Sequence, residues 1–159
     1  VTTAAKTKLT IGISPIPQVM HPHLDSGASA TSVYRALFDP LVNAGSAGGI
    51  EPWLAESWRI IDPLTWEFKI RPGVKFHNGE VFDAAAAKWN LDWARNPDNK
   101  SIWNGRVTQI ASTEVVDANT LRIKTANPYG ALLDGLTIIW MMPPAHYQQV
   151  GPDGFKSSL

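Results

Sequence analysis

The sequence predicts an α+β fold, with short, mostly antiparallel strands and helices packed on one face. Three observations carry this. Residues 65–70 alternate, with Trp66, Phe68 and Ile70 on one side and Glu67 and Lys69 on the other, the period-2 pattern of a half-buried strand. Asp83 precedes an alanine run that continues through Trp89, Leu91 and Trp93 until Asn96 and Pro97, which reads as a capped helix with a defined stop. Residues 111–116 and 120–125 flank Asp117, Ala118 and Asn119, which reads as a hairpin.

The remaining elements follow in chain order. Residues 9–13 alternate apolar with small side chains and read as a buried strand. Pro15, Pro17 and Pro22 cannot donate to a ladder, so residues 14–29 are expected to be an extended loop. Val33, Leu37 and Leu41 recur every four residues with Tyr34 and Phe38 beside them. This predicts an amphipathic helix that begins near Ser29 or Thr31 and is disturbed by Pro40 in its last turn. Residues 45–49 are a flexible turn, and Pro52 suits the first position of a short helix over 53–57.

Residues 59–61 then form a strand that turns at 62–64 into the alternating one. Residues 74–76 form another short strand between turns at 71–73 and 77–79. A polar loop at 98–105 separates the tryptophan-containing helix from the hairpin. Beyond the hairpin lie a short helix over 131–136, an apolar strand over 137–142, a short helix over 144–150 and a turn at 151–154.

Composition narrows the function classes. With 159 residues, 44% of them apolar, the chain is long enough for a real hydrophobic core. The 14 basic and 14 acidic residues cancel, and no basic cluster supplies the face that nucleic acid needs. The longest apolar stretch, residues 132–142, is broken by Asp134, Gly135 and Thr137 and falls short of the roughly 20 residues that span a bilayer. Residues 1–8 are polar and threonine-rich, without the charged start and apolar middle of a signal peptide. The absence of cysteine excludes disulfides and a thiolate nucleophile. Seven tryptophans are well above ordinary usage. Most are expected to fill the core, and one outside a periodic pattern would be free to stack on a ligand.

Motifs of covalent chemistry are missing. His21 and His23 form a His-x-His pair with only Asp25 nearby, too few ligands for a zinc site, and are expected to be loop histidines. His77 reads as a turn residue and His146 as a solvated helix-surface residue. Neither a Gly-x-Ser-x-Gly elbow nor a phosphate-binding glycine loop occurs. Glu51, Glu56, Asp83 and Asp92 have local structural explanations, and Glu67 and Lys69 read as strand-surface charges. The expectation is no enzyme, no cofactor and no metal, because no ordered nucleophile–base pair can be assembled from these residues.

One block is recognisable. Leu54, Ala55, Glu56, Ser57 and Trp58, then the run from Leu64 and Thr65 through Arg71, Pro72, Gly73, Val74, Lys75, Phe76, His77, Asn78 and Gly79 to Glu80, then Phe82, Asp83 and Ala84, resemble the hallmark of the family 5 extracellular solute-binding proteins. These are the peptide-, nickel- and glutathione-type receptors of ABC importers. Residues 33–42, 49–52, 142–145 and 151–155 resemble the family's flanking segments. Asp62 and Pro63 stand where the family usually has Asp-Gly, and Asp83 with four alanines replaces its usual helix start. Both are local changes of turn and cap chemistry.

The resemblance implies the N-terminal part of a two-lobed, type II periplasmic-binding-protein fold. Residues 1–42 would be the first strand and helix of the main lobe, 43–142 an inserted α+β subdomain, and 143–159 the return toward the main lobe. It implies a periplasmic or cell-surface protein that closes on a small solute, a di- or oligopeptide before a nickel complex, glutathione or a sugar, and delivers it to a permease. Membrane association would come only through the transporter or a lost anchor, and an alternative role for the subdomain is as a docking platform for that transporter.

The resemblance further places the ligand cleft at residues 26–31, 102–104 and 137–141. The candidates are Ala28, Ser29, Thr31, Ile102, Trp103, Asn104, Thr137, Trp140 and Met141. Trp103 is the best single candidate, although packing on its own subdomain is an equally open role for it; for Trp140 core packing is favoured.

Overall fold

Pro40 decides where the first helix stops. It has no N–H to extend the ladder and biases the residue before it away from the helical region. In the computed structural model, which describes residues 19–156 together with Gly12, α1 (Ala28–Leu37) therefore ends at Phe38, with φ −129° and ψ 150°. Leu41 lies beyond the helix, so the expected stripe of Val33, Leu37 and Leu41 does not form. The buried stripe is Ala30, Tyr34 and Phe38, and Leu37 is 37% exposed. The strand expected over 9–13 lies outside the described residues.

The expected short helix over 53–57 is replaced by sheet. β1 (Val42–Ala44) and β2 (Ile50–Pro52) form a hairpin whose loop carries Gly48 and Gly49 at φ near +87° and +85°, where a Cβ would be strained. The Leu41 carbonyl then accepts the Ala55 N–H at 2.7 Å, and the Leu54 carbonyl accepts the Arg71 N–H at 2.9 Å. These long-range bonds commit the backbone to extended pairing, which outweighs the local signal of Pro52. β3 (Ala55–Asp62) is accordingly much longer than the expected 59–61 and pairs antiparallel with β4 (Thr65–Ile70), the strand read at 65–70.

Residues 74–76 make only one isolated bridge, Lys75 to Val81, rather than a strand. α2 (Ala84–Arg95) follows, and its Asp83 cap is realised: Asp83 Oδ1 accepts the Ala86 N–H at 2.9 Å. Ala84, Ala87, Leu91 and Ala94 are fully buried on the inner face of the sheet, the small side chains allowing close approach. The polar loop over 98–105 contains the start of α3 (Asn104–Val107).

β5 (Ile110–Asp117) and β6 (Thr120–Thr125) form the expected hairpin, and the sheet order is β3-β4-β6-β5, antiparallel throughout. Both of its hairpins use one device. Asp62 Oδ1 accepts the Leu64 N–H and Asp117 Oδ1 accepts the Asn119 N–H, each at 2.8 Å. The register sets Phe68 opposite Leu121 and Trp66 opposite Ile123, and all four are buried toward α2. On the outer face Glu67 is 4% exposed, which corrects its reading as a solvated surface charge. Arg59 donates to one carboxylate oxygen at 2.6 and 3.0 Å, and Arg122 to the other at 3.0 Å. The two guanidinium groups, themselves part-exposed, form its cover.

α4 (Leu132–Leu136) matches its expectation, but residues 137–142 do not form a strand. Their backbone groups bond singly: Met141 N–H to the Asp39 carbonyl at 3.0 Å, and Met142 N–H to Asn90 Oδ1 at 2.7 Å. Asn90 Nδ2 in turn donates to the Met142 carbonyl at 2.9 Å, so one side chain acts as a strand partner. α5 (Pro144–Phe155) starts at the expected Pro144. It is broken at Gly151 (φ 71°) and resumes to Phe155 where a turn alone was expected. Its first turn is capped from afar, Glu80 Oε1 accepting the Ala145 N–H at 2.9 Å.

Two apolar clusters result. The larger lies between the sheet and α2, and includes Leu41, Phe68, Phe82, Leu91, Val107, Leu121 and Leu136. The smaller joins α1, α2 and α5 through Ala30, Tyr34, Phe38, Trp93, Trp140, Met142, Tyr147 and Phe155.

Candidate functional site

The loop before α1 draws two of the three expected cleft segments together. His23 and its neighbours are the centre of this junction. The His23 carbonyl accepts the Ile102 N–H at 3.0 Å, and the Pro22 carbonyl accepts the Trp103 indole N–H at 2.9 Å. The His23 ring reaches Ser101 Oγ at 3.3 Å through Nδ1 and the Trp140 carbonyl at 2.8 Å through Nε2. A carbonyl only accepts, so Nε2 carries the proton and Nδ1 is the lone pair that takes the Ser101 hydroxyl. Ser101 Oγ also accepts the Trp103 backbone N–H at 3.2 Å. An unbroken chain of donors thus runs from Trp103 through Ser101 and His23 to Trp140.

His21 sits deeper. Its Nδ1 accepts the His23 backbone N–H at 3.2 Å, so the neutral ring is protonated at Nε2, which has no hydrogen-bond partner among the described residues. Aromatic rings surround it. Trp93 stacks at 5.2 Å, and Tyr147 and Phe155 approach edge-on at 5.9 and 5.4 Å. Both histidines lie in a loop, as expected, but with no exposed surface. Burial lowers the pKa of His23 to about 4. Burial, then the charges of His23 and Lys156, lowers that of His21 to about 3. Tyr34, whose hydroxyl donates to the Val19 carbonyl at 2.7 Å, is raised to about 12 by burial and then by Asp25.

The expected residues take different places around this junction. Ala28 is exposed, and Ser29 and Thr31 are half-buried at the start of α1. Ile102 is 43% exposed, and Trp103 is half-buried against the larger cluster. Asn104 caps the end of α2, donating to the Ala94 and Arg95 carbonyls at 3.2 and 2.9 Å. Thr137 donates its hydroxyl to the Asp134 carbonyl at 2.8 Å. Trp140 and Met141 are 3% and 2% exposed. A cavity of about 240 Å³ lies elsewhere, between the end of α1, the 74–78 turn and α5; of the expected residues it touches Met141 alone. His77 lines it, and so does His146, which is half-buried with its ring 6.0 Å from Phe155 rather than solvated.

Sequence reasoning missed Ser101, His23 and Asn90. It also held that no serine–histidine pair could be assembled, and the fold brings Ser101 and His23 into contact. Ser101 is 7% exposed, burial lowers the pKa of His23 to about 4, and both ring nitrogens are engaged. Among the described residues no group of three or more His, Asp or Glu could hold a metal ion, and no helix is long and apolar enough to cross a membrane.

Solved structures similar to this mixed helix and sheet unit are two-lobed, type II periplasmic binding proteins, and the unit is consistent with part of that fold. The model of "Bacterial extracellular solute-binding proteins, family 5 Middle" matches residues 49–157. The glutathione-binding protein GsiB of Pectobacterium atrosepticum is 42% identical over 103 residues, which are 63% of this chain and 20% of that protein. The nickel-binding periplasmic protein of Escherichia coli is 30% identical over 139 residues, 87% of this chain and 25% of that one. NikA from Brucella suis, solved in complex with Fe(III)-EDTA, superposes with a TM-score of 0.72 at 37% identity, covering 80% of this chain and 26% of that one. The chain belongs to the bacterial extracellular solute-binding proteins, family 5. It spans about a quarter or less of the length of the relatives it matches.

Proposed function

We propose that this chain is part of the solute-capturing component of an ABC importer, acting outside the cytoplasm. It would help two lobes close on a small solute, a di- or oligopeptide, and present it to the permease without covalent chemistry. The family match over residues 49–157, with a glutathione-binding relative at 42% identity, carries this reading, since glutathione is itself a small peptide. A nickel complex or a sugar is the alternative solute within the family. The domain division at residues 42 and 142 is part of the proposal, although the two apolar clusters cross it: Leu41 and Val42 pack in the larger one, and Trp93, Trp140 and Met142 in the smaller.

The proposed cleft wall is Ala28, Ser29 and Thr31, then Ile102, Trp103 and Asn104, then Thr137, Trp140 and Met141, with Trp103 as the ring that meets the solute. The joining of the second and third groups through His23 supports this wall. Calorimetric titration of the full chain with short peptides, glutathione and a nickel–histidine complex tests the reading. Micromolar or tighter binding of one class is expected, and no binding of any would overturn it. A second reading, the subdomain as a docking platform, is favoured by the apolar groups on the two sheet edges: Ile60 and Ile61 on β3, Val115 and Val116 on β5. Replacing Trp103 with Ala separates the two: lost affinity supports the cleft, unchanged affinity with lost transport supports the platform.

A further inference from the structure

Three features converge on the loop that precedes α1. Trp103 is held at both its backbone and its indole by that loop, through Ser101 and through the Pro22 carbonyl. The hydrogen-bond polarity of His23 is fixed by the Trp140 carbonyl, so only one neutral tautomer fits. His21 stands beside it with a buried N–H that no acceptor among the described residues meets, in a box of three aromatic rings.

We propose that His23, with His21 behind it, is a positioning residue for Trp103: the neutral pair latches the loop that fixes the indole, and protonating the pair releases Trp103. This rests on the reading of Trp103 as a cleft residue.

The physical argument is one of fit. Protonating His23 at Nδ1 turns an acceptor into a donor facing Ser101 Oγ. That oxygen would then accept from two N–H groups while its own hydroxyl loses its partner. Protonating His21 at Nδ1 sets a donor against the His23 backbone N–H it now accepts from. Each added charge sits where water does not reach, and burial already holds both rings well below the ordinary histidine range. The charged and titratable groups facing the pair do not offset this. From α5 come Lys156, a cation that opposes a second positive charge and is bonded to Asp153, then Tyr147, and His146 beyond Phe155. From α1 comes the Tyr34 hydroxyl, which is spent on the Val19 carbonyl, while Asp25 of the loop acts on Tyr34 and accepts the Gly27 N–H. α2 presents Trp93, and the 101–103 segment presents Ser101.

The test follows the Trp103 indole N–H by NMR in the full chain labelled at tryptophan indole nitrogens, the resonance being assigned with Trp103→Phe. At pH 7.5 His23→Leu, which removes both ring bonds, should speed solvent exchange of this N–H about tenfold. His23→Gln, whose amide still reaches the Trp140 carbonyl, should restore it to within about twofold. On acidification from pH 6.5 to 4 the parent should release Trp103, and His21→Phe combined with His23→Gln should hold it. Far-UV circular dichroism monitors the fold, and if His23→Leu fails to fold, the pH profile of the double variant decides. Unchanged exchange in a folded His23→Leu, or release of the double variant at the parent's pH, would overturn the latch. Affinity for glutathione and a dipeptide is measured alongside. A parent that binds neither argues against the cleft reading while exchange still judges the latch. A binding parent whose folded His23→Leu form shows fast exchange and unchanged affinity overturns the positioning role.

Discussion

Replacing Asn90 with Ala should weaken the joint between α2 and the segment leading into α5. The Asn90 amide is fully buried; its oxygen accepts the Met142 N–H at 2.7 Å and its nitrogen donates to the Met142 carbonyl at 2.9 Å and the Ala86 carbonyl at 3.0 Å. Met142 is also fully buried, so alanine leaves both its backbone groups without water or partner. At about 1–3 kcal/mol for each of the two buried groups left unsatisfied, the loss should be about 2–6 kcal/mol. Urea unfolding of the full chain measures it, and amide exchange at Met142 locates it. Asn90→Asp adds a second arm, because it keeps the acceptor for the Met142 N–H but sets a carboxylate against two carbonyls. It should therefore be destabilised at neutral pH. A loss under about 1 kcal/mol for Asn90→Ala, with the Met142 amide still protected, would refute the reasoning.

Asp83→Ala removes the side-chain cap of α2 and should cost about 1 kcal/mol of stability in urea titration. Gly135→Ala places a Cβ 2.6 Å from the Arg106 carbonyl oxygen, so α3 and α4 must part; a loss of about 1–3 kcal/mol by thermal or urea unfolding is expected. Glu67 is held below its ordinary pKa of 4.5, first by the Arg59 hydrogen bond. Its contribution is present above pH 4.5 and disappears as pH falls further, so Glu67→Gln should flatten that limb of a stability–pH curve. His21 and His23 act higher on the same curve. Their folded values lie below 6.5, so their contribution is complete above pH 6.5 and declines as pH falls toward 4 and 3. For His23 alone the drop from 6.5 to about 4 corresponds to on the order of 3 kcal/mol, and His21→Phe with His23→Gln should remove most of the slope between pH 6.5 and 4.

The sheet was legible because its signals are local. Trp66, Phe68 and Ile70 alternate within six residues, and Asp62 and Asp117 close their turns with their own side chains. Asp83 likewise caps a helix three residues away. The errors share the opposite cause. Pro52 suited a helix start, but the Ala55 N–H is claimed by Leu41 and the Arg71 N–H by Leu54. Residues 137–142 are apolar enough for a strand, yet Met141 bonds to the Asp39 carbonyl and Met142 to an asparagine side chain 52 positions away. No window of sequence contains such a pairing.

The same contrast runs through the candidate site. Trp103 was noticed because it stands outside a periodic pattern, which is a local property, while what holds it is not local. Pro22 and His23 lie about 80 residues earlier, in a stretch expected to be an extended, proline-rich loop. A His-x-His pair in such a loop gives no sign of burial, because burial comes from Trp93, Tyr147 and Phe155 on two later helices. One signal did exist. Seven tryptophans are more than a single sheet core needs, and those on α2 and at residue 140 belong to a second cluster. Aromatic surface in excess of one core implies a second packing site, and a loop that enters such a site must bring polar groups able to satisfy one another. Histidine and serine do this without charge. The seventeen-kilodalton chain thus joins its two clusters through neutral, directional bonds. That choice gives the Trp103 junction its rigidity at neutral pH and its sensitivity to acid.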